Sequence, residues 1–80
     1  MSESNFSVDH EIDARQQPCP MPILMLKRTL KIALQGQILL VKATDPNSQQ
    51  DLIHFCKIQN LNILQMTQQT NEFHYYIEKS

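Results

Sequence analysis

The chain has 80 residues, of which 41% are hydrophobic and 19% are charged, and its formal net charge is -1 at pH 7. This length suits a single small domain over residues 1–80 and argues against a catalytic cleft between two domains. The near-neutral charge argues against a domain that binds nucleic acid through overall basic charge. The N-terminus is polar and acidic, and no run of about 18 apolar residues occurs, so we expect a soluble, cytoplasmic protein without a membrane partner.

The first half of the chain predicts a strand, a helix and a second strand. Apolar and polar residues alternate over residues 6–12, which is the period of a half-buried strand. Over residues 22–34 apolar side chains recur at helical spacing, and we expect this helix to end at Gly36, the single glycine of the chain. Residues 38–41 form a continuous apolar run, which is typical of a central strand.

The second half predicts another helix and a hairpin. Residues 45–48, Asp-Pro-Asn-Ser, provide the chemistry of a helix start, and Asn60 is expected to close that helix. One side of the helix carries four residues: Leu52, Phe55, Cys56 and Gln59. Residues 62–68 and 72–79 are predicted to form a hairpin, whose second strand directs three side chains to one face: Phe73, Tyr75 and Ile77.

The motif that carries chemistry is Cys-Pro-Met-Pro at residues 19–22, between the first strand and the first helix. Proline is tolerated in the first turn of a helix, so this motif predicts that Cys19 lies where the helix begins. Unpaired N–H groups and the positive end of the helix dipole both favour a thiolate there. Arg15, four residues earlier, can add a supporting cation. The predicted helix-start residues are Pro18, Pro20 and Pro22.

No other residue in the motif supplies a general base, which favours a carrier thiol over a hydrolase with a cysteine–histidine pair. The three histidines, His10, His54 and His74, fall on separate segments and are interpreted as surface residues. A CxxC pair and a ligand cluster are both missing, so a thiol redox protein is disfavoured and neither a metal nor a cofactor is expected. Cys56 lies on an apolar helix side and is interpreted as a core residue, as is Met66.

Lys27, Arg28 and Lys31 form a basic stripe on the first helix, and Leu24 lies on the same face one turn earlier. Solvated charge is the default interpretation of such a stripe. A basic patch with an apolar centre beside a reactive thiol is also a candidate docking surface for partner proteins. Both interpretations stay open at the level of the sequence.

Residues 12–22 read Ile-Asp-Ala-Arg-x-x-Pro-Cys-Pro-x-Pro, and an apolar helix, Asp45-Pro46 and Phe55-Cys56 follow. This series resembles the TusA/SirA/YedF family of small sulfur-carrier proteins, over nearly the whole chain. The resemblance implies a two-layer α/β sandwich of order βαβαββ, with two helices on one face of a four-stranded mixed sheet. It also implies that Cys19 carries a persulfide sulfur, as a relay protein and not as a self-contained turnover enzyme.

The resemblance further implies a cysteine desulfurase or other sulfur donor, an acceptor protein and, in the best-known branch, thiolation of the tRNA wobble uridine. Two positions depart from the family pattern. Gln16 stands where glycine is common, and Met21 stands where the tRNA branch commonly has glutamate. The alternative function is a non-catalytic regulatory or nucleic-acid-binding module of the same fold. We expect no stable nucleic-acid binding, because the chain has few basic and aromatic residues.

Overall fold

A computed structural model describes residues 7–17 and 21–80 of the chain. The elements follow in the predicted order βαβαββ: β1 His10–Ala14, α1 Met21–Ile32, β2 Ile38–Ala43, α2 Ser48–Ile58, β3 Asn62–Gln69 and β4 Glu72–Glu78. The four strands form one mixed sheet of order β1-β2-β4-β3, in which β1 and β2 are parallel and the other two pairs are antiparallel. Because a parallel pair needs a crossover, α1 returns the chain from the end of β1 to the beginning of β2.

Alternation along the central strands places the core on one face of the sheet. Leu39 and Val41 of β2 and Ile77 of β4 are completely buried, and they pack with Leu26 of α1 and Leu52 of α2. Because side chains two residues apart on a strand point to the same face, Leu39 and Val41 lie on one face of the sheet. Both helices pack against that face. The predicted two-layer sandwich is confirmed.

The first strand begins later than the alternation predicts. β1 starts at His10, and the first contact with β2 is the backbone N–H of Asp9, which donates to the Ile38 carbonyl at 2.9 Å. Val8 precedes the strand, and Phe6 lies outside the described residues. The alternation of apolar and polar residues in the sequence extends further towards the N-terminus than β2 does. The start of β2 therefore determines where β1 begins to pair.

The first helix also ends earlier than predicted, at Ile32, so Leu34 lies beyond it and is 69% exposed. Gly36 has φ 88 and belongs to a turn closed by the Gln37 N–H, which donates to the Leu34 carbonyl at 3.0 Å. The helix is terminated instead by the ammonium of Lys79, which donates to the carbonyls of Leu30 at 2.8 Å and Ala33 at 2.7 Å. A cation at this end of the helix interacts favourably with the negative end of the helix dipole.

The second helix ends at Ile58, and Asn60 closes it as predicted. This residue has φ 59, and its N–H donates to the Lys57 carbonyl at 3.3 Å, while the Leu61 N–H donates to the Cys56 carbonyl at 2.8 Å. Two such bonds around a left-handed residue form a Schellman motif, which satisfies the last carbonyls of the helix.

Candidate functional site

The candidate site lies where β1 ends and α1 begins. Ala14 is the last residue of β1 and Met21 is the first of α1, with Pro22 buried beneath the first turn. Cys19, Pro18 and Pro20 lie between them and outside the described residues. The first turn of α1 contains no acidic residue, so no side chain there opposes a negative charge at the beginning of the helix.

The turn after β1 depends on a left-handed residue. Gln16 has φ 64, the region that glycine enters most readily, and the family pattern commonly has glycine at this position. The Gln16 N–H donates to Oγ1 of Thr44 at 2.8 Å, and the Gln17 N–H donates to the Ala14 carbonyl at 3.3 Å. Thr44 follows β2, so the end of the neighbouring parallel strand holds the turn that leads towards Cys19.

Arg15 is held by two carboxylates. Its Nε donates to Oδ1 of Asp13 at 2.8 Å and a terminal nitrogen donates to Oδ2 at 2.9 Å, while the other terminal nitrogen reaches Glu72 at 3.2 Å. The Arg15 side chain and then its backbone N–H lower the pKa of Asp13 to about 2. Bonds to the two carboxylates raise the pKa of Arg15, so its positive charge is balanced at this position. Whether it also supports the thiolate stays a prediction.

A histidine extends this network on the open face of the sheet. Nε2 of His74 lies 3.1 Å from Oε1 of Glu72, and the hydrogen bond with His74, followed by that with Arg15, lowers the pKa of Glu72. His74 is buried, so the prediction of a surface histidine is wrong for this residue. It lies on β4 opposite Thr67 of β3, and the strands on either side shield it. Sequence reasoning missed Glu72, because only the order of strands in the sheet places the beginning of β4 across β2 from the end of β1.

These side chains surround an open polar cavity of about 500 Å³. It lies at the carboxyl ends of β1 and β2, and it is lined by Asp13, Arg15, Gln16, Gln17, Thr44 and Glu72. In the chain, Gln17 comes directly before the segment that carries Cys19. Within residues 7–17 and 21–80 no cluster of histidine, cysteine or acidic side chains could hold a metal ion. The helices of this same part of the chain are too short and too polar to cross a membrane.

The predicted basic stripe is exposed on α1. Arg28 and Lys31 are exposed, and Leu24 is 40% exposed one turn before Arg28. Lys27 differs from them, because its Nζ lies 5.8 Å from the centre of the Phe55 ring on α2. It therefore contributes to the contact between the two helices as well as to the charge of the surface.

Cys56 is 1% exposed in the core between α2 and the sheet, and burial raises the pKa of its thiol to about 11. Its burial confirms the prediction of a core cysteine. A protonated sulfur that the core covers is a poor nucleophile. Met66 was also predicted to fill the core, and this is wrong: it lies on the edge strand β3 and is 45% exposed.

Comparisons with known proteins agree with this arrangement. The family model described as sulfurtransferase TusA matches residues 10–79. The chain is 40% identical over 72 residues to the sulfur carrier protein TusA of Allochromatium vinosum, covering 90% of this chain and 95% of the relative. The crystal structure of a SirA-like protein from Desulfitobacterium hafniense has the same fold, with a TM-score of 0.76 at 21% identity over 86% of this chain and 95% of that one. The chain therefore belongs to the TusA family of sulfur-carrier proteins.

Proposed function

We propose that Cys19 carries a sulfur atom as a persulfide between a donor protein and an acceptor protein. The observation that supports this most directly is the match over residues 10–79 to a sulfurtransferase family, with the thiol of this chain two residues before the first residue of α1. A relative of 40% identity is named a sulfur carrier. The other cysteine, Cys56, is covered by the core and carries its proton at neutral pH, so it is a poor candidate for the same task.

The transfer is a thiol–disulfide type of exchange and needs no external oxidant. The Cys19 thiolate attacks the terminal sulfur of a donor persulfide, the sulfur–sulfur bond of the donor breaks, and the donor thiolate leaves. Cys19 then holds the terminal sulfur until a thiolate of the acceptor attacks it and Cys19 departs as thiolate. Both steps are helped by a stabilised thiolate, because Cys19 is the nucleophile in the first step and the leaving group in the second.

The donor that we propose is a cysteine desulfurase or a protein with an equivalent persulfide, and thiolation of a tRNA uridine is one destination of the sulfur. Such a protein partner must approach the amino end of α1 to reach Cys19. The exposed face with Leu24, Arg28 and Lys31 is available beside that end. A reduced cytoplasmic compartment suits this chemistry, because a persulfide carrier must return to the free thiol after each transfer.

The test is sulfur loading followed by intact-mass measurement. The chain is incubated with a cysteine desulfurase and cysteine, and the wild-type protein is expected to gain one sulfur atom that a reducing agent removes. Cys19→Ser should gain none, and Cys56→Ser is the matched control that should load as the wild type does. Sulfur on Cys56 of the wild-type protein, or equal loading of Cys19→Ser, would contradict the proposal.

A further inference from the structure

The two edges of the sheet are built differently. β1, at one edge, has five residues and carries Glu11 and Asp13, which form ion pairs with Lys42 at 2.9 Å and Arg15 at 2.8 Å. β3, at the other edge, has eight residues and contains no Asp, Glu, Lys, Arg or Pro. Charged side chains, prolines, β-bulges and short length are features by which native edge strands avoid pairing with another chain. β1 has charges and short length, whereas β3 has only a register irregularity near its beginning.

The free backbone groups of β3 can be located from its register. A two-residue loop joins β3 to β4, so Gln69 and Glu72 form the hydrogen-bonded pair next to the loop. Counting back by alternate residues, Gln68 and Met66 direct their backbone N–H and C=O groups away from β4. The irregularity between Ile63 and Gln65 falls near the beginning of the strand and leaves residues 65–69 regular. Among the described residues, no strand lies beyond this edge.

We propose that β3 pairs antiparallel with β3 of a second copy of this chain, forming a two-fold symmetric dimer. Two-fold pairing places a strand opposite itself, and in β3 this brings no like charges together because the strand has none. The net charge of -1 on each chain adds little repulsion between copies. Pairing would also cover Met66, which is 45% exposed, and Leu64, which is 36% exposed.

The assembly closes at two chains. Joining the sheets leaves two β1 strands as the outer edges, and these are short and carry ion-paired carboxylates. The turn that leads to Cys19 follows β1, at the edge farthest from β3, and α1 contacts β1 and β2. The ends of β1 and the basic stripes of both copies therefore stay open to partner proteins, and the proposal is independent of what Cys19 does.

The first test measures mass in solution by sedimentation equilibrium over a range of protein concentrations up to the millimolar range. The wild-type protein is expected to change from one chain to two as concentration rises. Met66→Lys combined with Gln68→Lys places two cations on each copy at the proposed interface between the two β3 strands. This double change should weaken association at least tenfold. Ile32→Lys, at an exposed position of α1, is the matched control and should associate as the wild type does. A wild-type mass of one chain throughout, or a mass beyond two chains, overturns the proposal.

The second test needs no variant and so does not depend on whether the lysines are tolerated. Deuterium exchange of backbone amides is compared at low and high concentrations of the wild-type protein. The amides of Met66 and Gln68 should become protected as concentration rises. Those of His10 and Ile12, which alternate with the β2-directed amide of Asp9 and so face the free side of β1, should exchange at unchanged rates. A dimer that protects β1, or that leaves the β3 amides unprotected, shows that the chains meet elsewhere and overturns the assignment.

Discussion

Gln16 occupies a backbone conformation that is costly for any residue with a side chain, at the turn that precedes the segment with Cys19. Its φ of 64 lies in the left-handed region. We expect Gln16→Gly to raise the free energy of unfolding by up to about 1 kcal/mol, because glycine relieves the steric cost while losing more chain entropy on folding. The bond to Thr44 uses the backbone N–H and survives the change. Urea denaturation measures the difference.

A matched control for this change is Gln17→Gly. Gln17 does not have a positive φ, so glycine there gives no steric relief and should lower the free energy of unfolding. If both glycine variants are destabilised equally, the conformation of Gln16 carries no strain.

Asp13 gives the site a dependence on pH that can be traced to one neighbour. Its pKa is lowered from 3.8 to about 2, mainly by the hydrogen bond from the Arg15 side chain. A carboxyl with a depressed pKa in the folded state contributes stability above its unfolded value, and this contribution is lost as pH falls from about 3.8 through about 2. We expect Arg15→Gln to return the pKa of Asp13 towards 3.8 and to remove this part of the acid sensitivity.

Carboxyl carbon shifts in an NMR titration follow this pKa directly. Lys42→Gln is the control, because Lys42 affects Asp13 through charge alone and as the smallest of the causes, and the pKa should move much less. An Asp13 pKa that stays near 2 in Arg15→Gln would show that another group holds the carboxylate.

At the scale of elements, α1 packs one side against the core and exposes the basic stripe on the other. Arg28→Glu combined with Lys31→Glu reverses two charges and leaves the contact between Lys27 and the Phe55 ring in place. We expect slower sulfur transfer from a protein donor and a weaker dependence on salt, since charge complementarity acts mainly on the rate of encounter. Alkylation of Cys19 by a small reagent should change little. Rates measured at several salt concentrations test this.

The control for this reversal is Lys57→Glu, an exposed lysine in the last turn of α2. Its effect on transfer should be smaller, because α2 does not lead to Cys19. Unchanged transfer in the Arg28 and Lys31 variant at low salt would mean that the basic stripe is a solvated face and that partners dock elsewhere.

At the scale of the whole molecule, Cys56 reports on global opening, because the core that covers it includes both helices and the sheet. In a Cys19→Ser background we expect its labelling by a thiol reagent to be at least about a thousandfold slower than in denaturant, given the stability of a typical small domain. Cys19→Ser with Cys56→Ser and Ile58→Cys carries its single thiol at an exposed position of α2 and should react rapidly. Rapid labelling of Cys56 would reveal local opening of α2.

The sequence alone determined the order of elements, their periods and most of their boundaries. Alternation over β4 and helical spacing over α1 are local properties that arise from the two backbone geometries, so they can be read without knowing which elements meet. The start of β1 and the end of α1 were wrong for a common reason. Pairing with β2 determines where β1 starts, and the Lys79 ammonium helps to end α1. Both contacts join residues that are distant in sequence.

Contacts between residues distant in sequence were decided only by the tertiary structure. Arg15 was recognised as a cation near the thiol, but its partner Glu72 is 57 residues away and arrives through the order β1-β2-β4-β3. The same order buries His74 and leaves Met66 at an edge. A sequence determines which faces are apolar and where a candidate thiol lies in the chain, whereas the strand order determines which charges meet at the end of β1 and which strand is left at the edge of the sheet.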